Sequence, residues 1–358
     1  MANDRSYPLE ARAQTVAYGS PLPRSVRVRP RPVRRSEPPA RLRARRVYDS
    51  IAELIPNRNE PSPMVKLSPR IHPNTDFPIY LKLEGGNPFG SIKDRPALRM
   101  LEGARLTAGQ ALVEPSSGNT GIALAALANA RGVPIEIAVP ERVPEEKKLV
   151  LRLLGVTLWE AEDELCPLFP SEGARGLVKS MVESPAYDGR YVSPNQYENE
   201  LNVRAHYETT GPEIWDQTEG RVDHFFAGFG TCGTITGVGR FLKEQNPAVR
   251  IVGVEPARTD HNLAGMKRVS GLPEDLIPKI LDRSVIDETV AATDEDGYRT
   301  GIRLAREEGI LVGPTTGALV SVALRAAAEG EGLAVVIAPD DAFKYLSAYA
   351  AYLEDEED

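Results

Sequence analysis

The sequence predicts an α/β fold of two open, twisted parallel sheets covered by helices on both faces, with an active site in the crevice between the two lobes. Short apolar runs alternate with amphipathic stretches at βα spacing through most of the chain, the pattern of strands joined by crossover helices. At 358 residues and 41% apolar content, the chain is too long for one simple core and suits two. Loops rich in glycine and hydroxyls fall where strands should end, which is where open α/β sheets bind ligands.

In chain order, residues 40–54 suit a short helix with Val47, Ile51 and Leu54 on one face, ended by Pro56. A short strand follows in PSPMVKLSP, and Ile79 to Leu83 is a second. A helix begins after Lys93, and Ala111 to Glu114 reads as a strand feeding an Ala- and Leu-rich helix. Strand 135–139, helix 145–154, strand 157–161, helix 172–183 and strand 190–192 complete the first series. The second has a helix to Trp215, strand 224–229, helix 234–244, strand 251–254, helices from Asp294 and near Thr315, and strand 333–338. The domains expected are a basic Arg/Pro-rich extension (1–58), a first lobe (59–200), a second lobe (201–350) and an acidic tail (351–358).

Charge is unevenly spread. Residues 1–50 hold twelve arginines against four acids, a net of +8, so the rest carries −16 to give the chain's −8. The body as a whole repels nucleic acid. The arm from Ser25 to Arg46 alternates arginine with proline and cannot be a helix or a buried strand. It either pairs with the acidic body or a sister subunit, is disordered, or holds a polyanion. No window approaches eighteen consecutive apolar residues, and MANDRSYPLE lacks the apolar core of a secretory signal, so no membrane is expected. Cys166 and Cys232 follow no ligand spacing, so no metal is expected and a reducing cytoplasmic compartment is the simplest reading.

Three loops carry chemistry. In LKLEGGNPFGSIKDR, Leu81 to Arg95, a strand gives way to a glycine-rich loop that sets Lys93 at a helix start. On spacing alone Lys93 is a solvated lysine. GFGTCGTITG, Gly228 to Gly237, lies between a strand and a helix and offers amides, hydroxyls and a helix dipole to a phosphate, without the lysine of a Walker loop. Cys232 within it reads as a packing residue. SSGNTG, Ser116 to Gly121, gathers hydroxyls and Asn119 where a carboxylate would fit, although capping alone would need one of those hydroxyls. Lysine, phosphate cradle and carboxylate loop together describe pyridoxal 5'-phosphate held as a Schiff base.

The sequence resembles the β-family (fold type II) pyridoxal-phosphate enzymes, and within it the cysteine synthases, especially B-type O-acetylserine and O-phosphoserine sulfhydrylases. The likeness runs from about Pro61 to Ser347. It rests on LKLEGGNPFGSIKDR, EPSSGNTGIALA, NQYEN, AHYETTGPEIW, GTCGTITGVGRFLKE and EEGILVGPTTGA in the family's order. The resemblance implies that Lys93 holds the cofactor and shuttles the Cα proton, that Asn119 bonds the ring 3'-oxygen, and that Gly230, Thr231, Cys232, Gly233 and Thr234 cradle the phosphate. It implies that Ser116, Ser117, Thr120 and Gln196 grip the substrate carboxylate, and that Thr315, or Thr316 if the register slips, faces the pyridine nitrogen. A neutral hydroxyl there makes the ring a weaker electron sink than a carboxylate would, which suits β-elimination better than transamination.

The implied reaction is β-replacement through an aminoacrylate, forming L-cysteine from O-acetylserine or O-phosphoserine and a sulfur donor. That donor is free sulfide, thiosulfate or a carrier protein's thiocarboxylate, and the enzyme is expected to be a homodimer. Lys267 and Arg268, in HNLAGMKR, would match a leaving phosphate. The chain departs from the family at Cys232, at Thr315 and Thr316, in the longer Glu164 to Arg175 segment, at Asp341 and Ala342, and in its first sixty residues. Other readings are a cystathionine β-synthase or diaminopropionate synthase, a serine or threonine dehydratase, or a non-catalytic relative that binds a partner.

Overall fold

Hydrophobic alternation along the strands builds two sheets. The structure, a computed structural model, describes residues 47–116, 118–141, 143, 145–162, 173–328 and 330–354. The arginine-rich arm to Arg46, Ser117, Cys166, most of the 164–175 segment and the last four residues of the acidic tail lie outside them. From Tyr48 the described residues form one compact unit.

Strands β1 (Met64–Lys66) and β2 (Ile79–Leu83) lead to helix α1 (Asp94–Gly103). Next come β3 (Ala111–Pro115), α2 (Asn119–Ala130), β4 (Ile135–Pro140), α3 (Glu145–Leu153), β5 (Thr157–Ala161), α4 (Gly173–Glu183) and β6 (Tyr191–Val192). Helix α5 (Glu200–Ala205) runs through a π turn, His206–Thr210, into α6 (Gly211–Gln217). Then follow β7 (Val222–Gly228), α7 (Gly233–Gln245), β8 (Arg250–Pro256), β9 (Glu288–Ala292), α8 (Asp294–Glu308), α9 (Pro314–Ala327), β10 (Leu333–Ala338) and α10 (Leu346–Glu354). The smaller sheet has the order β5-β4-β3-β6 and is wholly parallel. The larger, β1-β2-β10-β7-β8-β9, is parallel except for the edge strand β1.

Both faces of the smaller sheet are covered, as the sequence predicts. Leu112 and Ile137 pack with α1 and α2, while their neighbours Val113 and Ala138 pack with Ala174, Val178 and Met181 of α4. The larger sheet has its own core, centred on Ile79, Leu81, Phe225, Ile251 and Val335.

Several boundaries differ from expectation. Strands β1 and β2 fall within the range of the first lobe yet belong to the larger sheet, because β2 pairs with β10, some 250 residues later in the chain. The helix expected to Leu54 is a 3-10 turn, Ile51–Leu54, since the Ser50 hydroxyl accepts from the Ala52 amide and caps it. Residues 48–58, assigned to the extension, reach into the body: Ile55 joins the core with Ala97 and Leu101. Residues 351–354 of the expected tail belong to α10, whose Tyr349 is buried against Tyr298. Strand β9 has no counterpart in the sequence reading, being an edge strand with Glu288, Thr289 and Ala291 exposed.

A buried ionic cluster joins the two halves beneath Lys93. The Arg95 guanidinium donates to both carboxylate oxygens of Glu84, each at 2.8 Å, and to those of Glu213 at 2.6 and 2.8 Å. The Lys82 ammonium donates to Glu213 at 2.6 Å, and Ser62 and Asn87 complete the shell of Glu84 at 2.6 and 2.7 Å. Arg95 and Lys82 hold the Glu84 carboxyl down to about 2 despite its burial. Removing the central cation would strand two carboxylates out of water. Arg95→Met is therefore expected to destabilise the fold by about 3–5 kcal/mol, read as a lower urea midpoint. An unchanged midpoint would show that the cluster is not strongly coupled to folding.

Candidate active site

Because β2, β10 and β7 are adjacent and parallel, the loops leaving their carboxyl ends emerge along one edge. Those loops carry Lys93, Asp340 and Cys232. The ends of β3, β4 and β6 bring in Ser116, Gly118, Asn119, Pro140 and Gln196 from the smaller sheet. Together they line a cavity of about 1030 Å³.

Lys93 is the residue before α1, its amide donating to the Ser91 hydroxyl at 3.2 Å. The neighbouring Ile92 amide donates to the Pro339 carbonyl at 2.8 Å, tying this loop to the end of β10. Among the described residues the Lys93 ammonium has no hydrogen-bond partner. Burial pushes its pKa below the ordinary 10.5, with Asp340 foremost among the groups opposing that shift.

The cradle at the start of α7 is closely built. A Cβ on Gly230 would stand 2.5 Å from the Gly265 carbonyl oxygen, so the chain comes too near for any side chain there. Cys232 sits at φ +71°, a left-handed conformation that costs a non-glycine residue about 1 kcal/mol. Burial pushes its thiol up to about 12, so it stays protonated. Thr231 accepts from the Asn202 amide at 3.1 Å. The Thr234 hydroxyl lies 3.3 Å from His206 Nε2, and His206 Nδ1 lies 3.0 Å from the Thr210 hydroxyl. The π turn aims this histidine at the cradle, and burial, with Lys93 and Arg95 nearby, holds it at about 3, hence neutral. Gly233 starts α7 without lining the cavity.

In the hydroxyl loop the Ser116 oxygen accepts from the amides of Gly118 at 3.3 Å and Gly121 at 2.8 Å, which is the capping role. Thr120 donates to Gln196 Oε1 at 2.7 Å, so each already engages the other. Asn119 Nδ2 donates to Asp340 Oδ2 at 2.8 Å, and the Tyr345 hydroxyl donates to the same oxygen. Both Asn119 Oδ1 and Asp340 Oδ1 are buried with no hydrogen-bond partner among the described residues.

Thr315 lines the cavity, donating to the Ala264 carbonyl at 3.0 Å, whereas Thr316 lies behind the wall. Lys267 lines it with its ammonium 5.3 Å from the ring centre of Tyr197; Arg268, expected beside it, does not. Arg268 instead opens a 3-10 turn, which directs consecutive side chains apart. The sequence reading missed Asp340, Tyr345, His206 and Lys147. The carboxylate at the end of β10 could have been found only by knowing that β10 neighbours β2. Lys147 looks like a solvated helix lysine in PEEKK, yet it is only 8% exposed.

A family model described as "Pyridoxal-phosphate dependent enzyme" matches residues 55–340. The chain belongs to the pyridoxal-phosphate-dependent enzyme family. It is 38% identical over 315 residues to a cysteine synthase of Aquifex aeolicus, covering 85% of this chain and 92% of that protein. It is 39% identical over 291 residues to cysteine synthase B of Escherichia coli, covering 80% and 92%. Among solved structures, an O-ureido-L-serine synthase aligns with a TM-score of 0.75 at 35% identity, over 84% of this chain and 94% of that one. A cysteine synthase of Entamoeba histolytica aligns with a TM-score of 0.75 at 30% identity, over 87% and 91%.

The residues present fit the family's cofactor. A buried amide oxygen without a partner, a lysine amine without an acceptor and a glycine loop closed to any Cβ are what a covalently held, phosphate-bearing ring requires. Because the Lys93 amine is neutral over a wider pH range than free lysine, cofactor loading of the apoenzyme should speed up as pH rises and reach half its maximum below pH 10.5. Stopped-flow absorbance checks this, and a midpoint at or above that value would contradict the burial. Gly230→Ala should load cofactor at least about tenfold more weakly through clash at the cradle, measured by dialysis against limiting cofactor.

Proposed function

We propose that this family member forms L-cysteine by replacing the β-substituent of O-acetylserine or O-phosphoserine with a sulfur donor. The observation that carries the reading is an unpaired Lys93 amine between a hydroxyl-rich carboxylate loop and an anion cradle in one cavity. Curated relatives named cysteine synthase support it over most of the chain.

In this reading pyridoxal phosphate, when bound, stabilises negative charge at the substrate Cα. Lys93 would hold the ring and take the Cα proton, while Gly230, Thr231, Cys232 and Thr234 would hold its phosphate through backbone amides and hydroxyls. Thr315 would face the ring nitrogen, for which its hydroxyl must leave the Ala264 carbonyl, and Asn119 would face the ring oxygen. Ser116, Ser117, Thr120 and Gln196 take the substrate carboxylate, for which Thr120 and Gln196 must loosen their mutual bond. The thiol of Cys232 stays out of the chemistry, being protonated.

Four lysines against two aspartates line the cavity, which suits anionic substrates and an anionic sulfur donor: free sulfide, thiosulfate or a carrier protein's thiocarboxylate. A homodimer in the cytoplasm completes the proposal; a free, buried Cys232 accords with a reducing compartment. No helix among the described residues is long and apolar enough to cross a membrane.

The test is to supply purified holoenzyme with each ester and sulfide and to quantify L-cysteine. Turnover with at least one ester is expected. Absence of product from both, with turnover when homocysteine or an amine replaces sulfide, would overturn the reading. Lys267→Ala should slow O-phosphoserine about ten- to a hundredfold and O-acetylserine little, as loss of one charge-assisted bond dictates. Equal slowing would remove the phosphate role from Lys267.

A further inference from the structure

Helix α3 follows the carboxyl end of β4 and places Lys147 on the cavity wall. Its side chain lies along the carboxylate loop: a Cβ built on Gly118 would meet Lys147 Nζ and Cδ, each at 3.4 Å. A larger residue at 118 would push the ammonium away. The ammonium sits 4.7 Å from the ring centre of Tyr345, whose hydroxyl donates to Asp340. Among the described residues its three N–H groups find no oxygen acceptor, although the side chain is almost fully buried. Burial pulls the Lys147 pKa down, and Asp340 is the first group opposing it.

A cation on a largely buried side chain that opens onto a cavity with its donors unused is a ready partner for an incoming anion. The groups of the adjoining loop are neutral: Ser116 is engaged with backbone amides, and Thr120 is bonded to Gln196. A substrate carboxylate entering that loop would bring a full negative charge to hydroxyls and amides alone. Lys93 is committed to the cofactor. Lys267 stands at Tyr197 on the loop that packs on the cradle, its amide donating to the Phe229 carbonyl at 2.7 Å. Lys344 already donates to the carbonyls of Phe89 and Gly90 at 3.3 and 2.7 Å, which leaves Lys147 as the nearby cation.

We propose that Lys147 is a substrate-binding residue whose ammonium pairs with the α-carboxylate of the amino-acid substrate, the aromatic face of Tyr345 holding it in place. The proposal rests on the reading that this cavity takes an amino acid. It adds a charge requirement at the carboxylate loop that the hydroxyls do not supply. A substrate lacking the carboxylate charge should gain nothing from Lys147.

The experiment titrates holoenzyme with L-serine and with L-serinamide, which keeps the amine and the shape but not the negative charge. The readout is the change in cofactor absorbance on binding. Lys147→Met should weaken L-serine about ten- to a hundredfold, as loss of a charge-assisted bond dictates, and leave L-serinamide within about threefold. Lys147→Arg should restore most of the L-serine affinity. If both ligands weaken equally, Lys147 only supports Tyr345 and the proposal falls; if neither weakens, it also falls. A wild-type enzyme that responds to no amino acid would instead remove the proposed function, so the two failures are distinguishable.

Discussion

The geometry of the site depends on Arg95, two residues beyond Lys93, meeting Glu84 and Glu213 in a place with almost no water. Arg95 is 2% exposed, and its partners come from the end of β2 and from α6. An apolar cluster of equal volume would cost less to bury. The charges add direction instead: a planar fork held at both ends admits one orientation, which fixes the first turn of α1 and hence where the Lys93 side chain leaves the backbone. Lys82 balances the second carboxylate, and Asn87 links Glu84 to the carbonyl of Ser91 at 3.0 Å. The loop bearing the amine is thus clamped from below by ions and from the side by the Ile92 bond to Pro339.

Above that clamp, Asp340 has several neighbours at once. It accepts from Asn119 and Tyr345, and it is the foremost negative charge acting on both Lys93 and Lys147. Burial raises its pKa on balance, and Tyr345, Asn119, Lys344 and Lys147 pull it part of the way back. An acid placed between two lysines keeps both cations tolerable in a buried wall without pairing fully with either. Its second oxygen and that of Asn119 are both buried without a hydrogen-bond partner among the described residues.

What the sequence discloses follows from how local each requirement is. The glycines of the cradle, the hydroxyls of the Ser116 loop and the lysine at a helix start are short-range demands of backbone geometry and can be read from neighbouring letters. Asp340 meets Lys93 only because β10 inserts between β2 and β7, a pairing set by cores and crossovers rather than by any motif. Lys147 escapes for a different reason: in a helix of mixed charge, periodicity does not say which polar side chain faces a cavity and which faces water. Arg268 shows the converse error, since adjacency to Lys267 in sequence does not give adjacency in direction.

The π turn at His206 brings a last consequence for the cradle. A neutral imidazole donates from one nitrogen and accepts at the other, and both nitrogens here face threonine hydroxyls. In the proposed reading a phosphate oxygen would take the Thr234 proton. Thr234 must then accept from Nε2–H, which leaves Nδ1 to accept from Thr210. Protonating the ring would keep Nε2 a donor but force Nδ1 to become one as well, and Thr210 would have to turn its hydrogen away. Holding His206 near a pKa of about 3 keeps it neutral at physiological pH, so the tautomer that frees Thr234 does not change with acidity in that range. In the proposed reading, the depressed basicity of His206, which does not line the cavity, would keep the Thr234 proton free for the cofactor's anionic end.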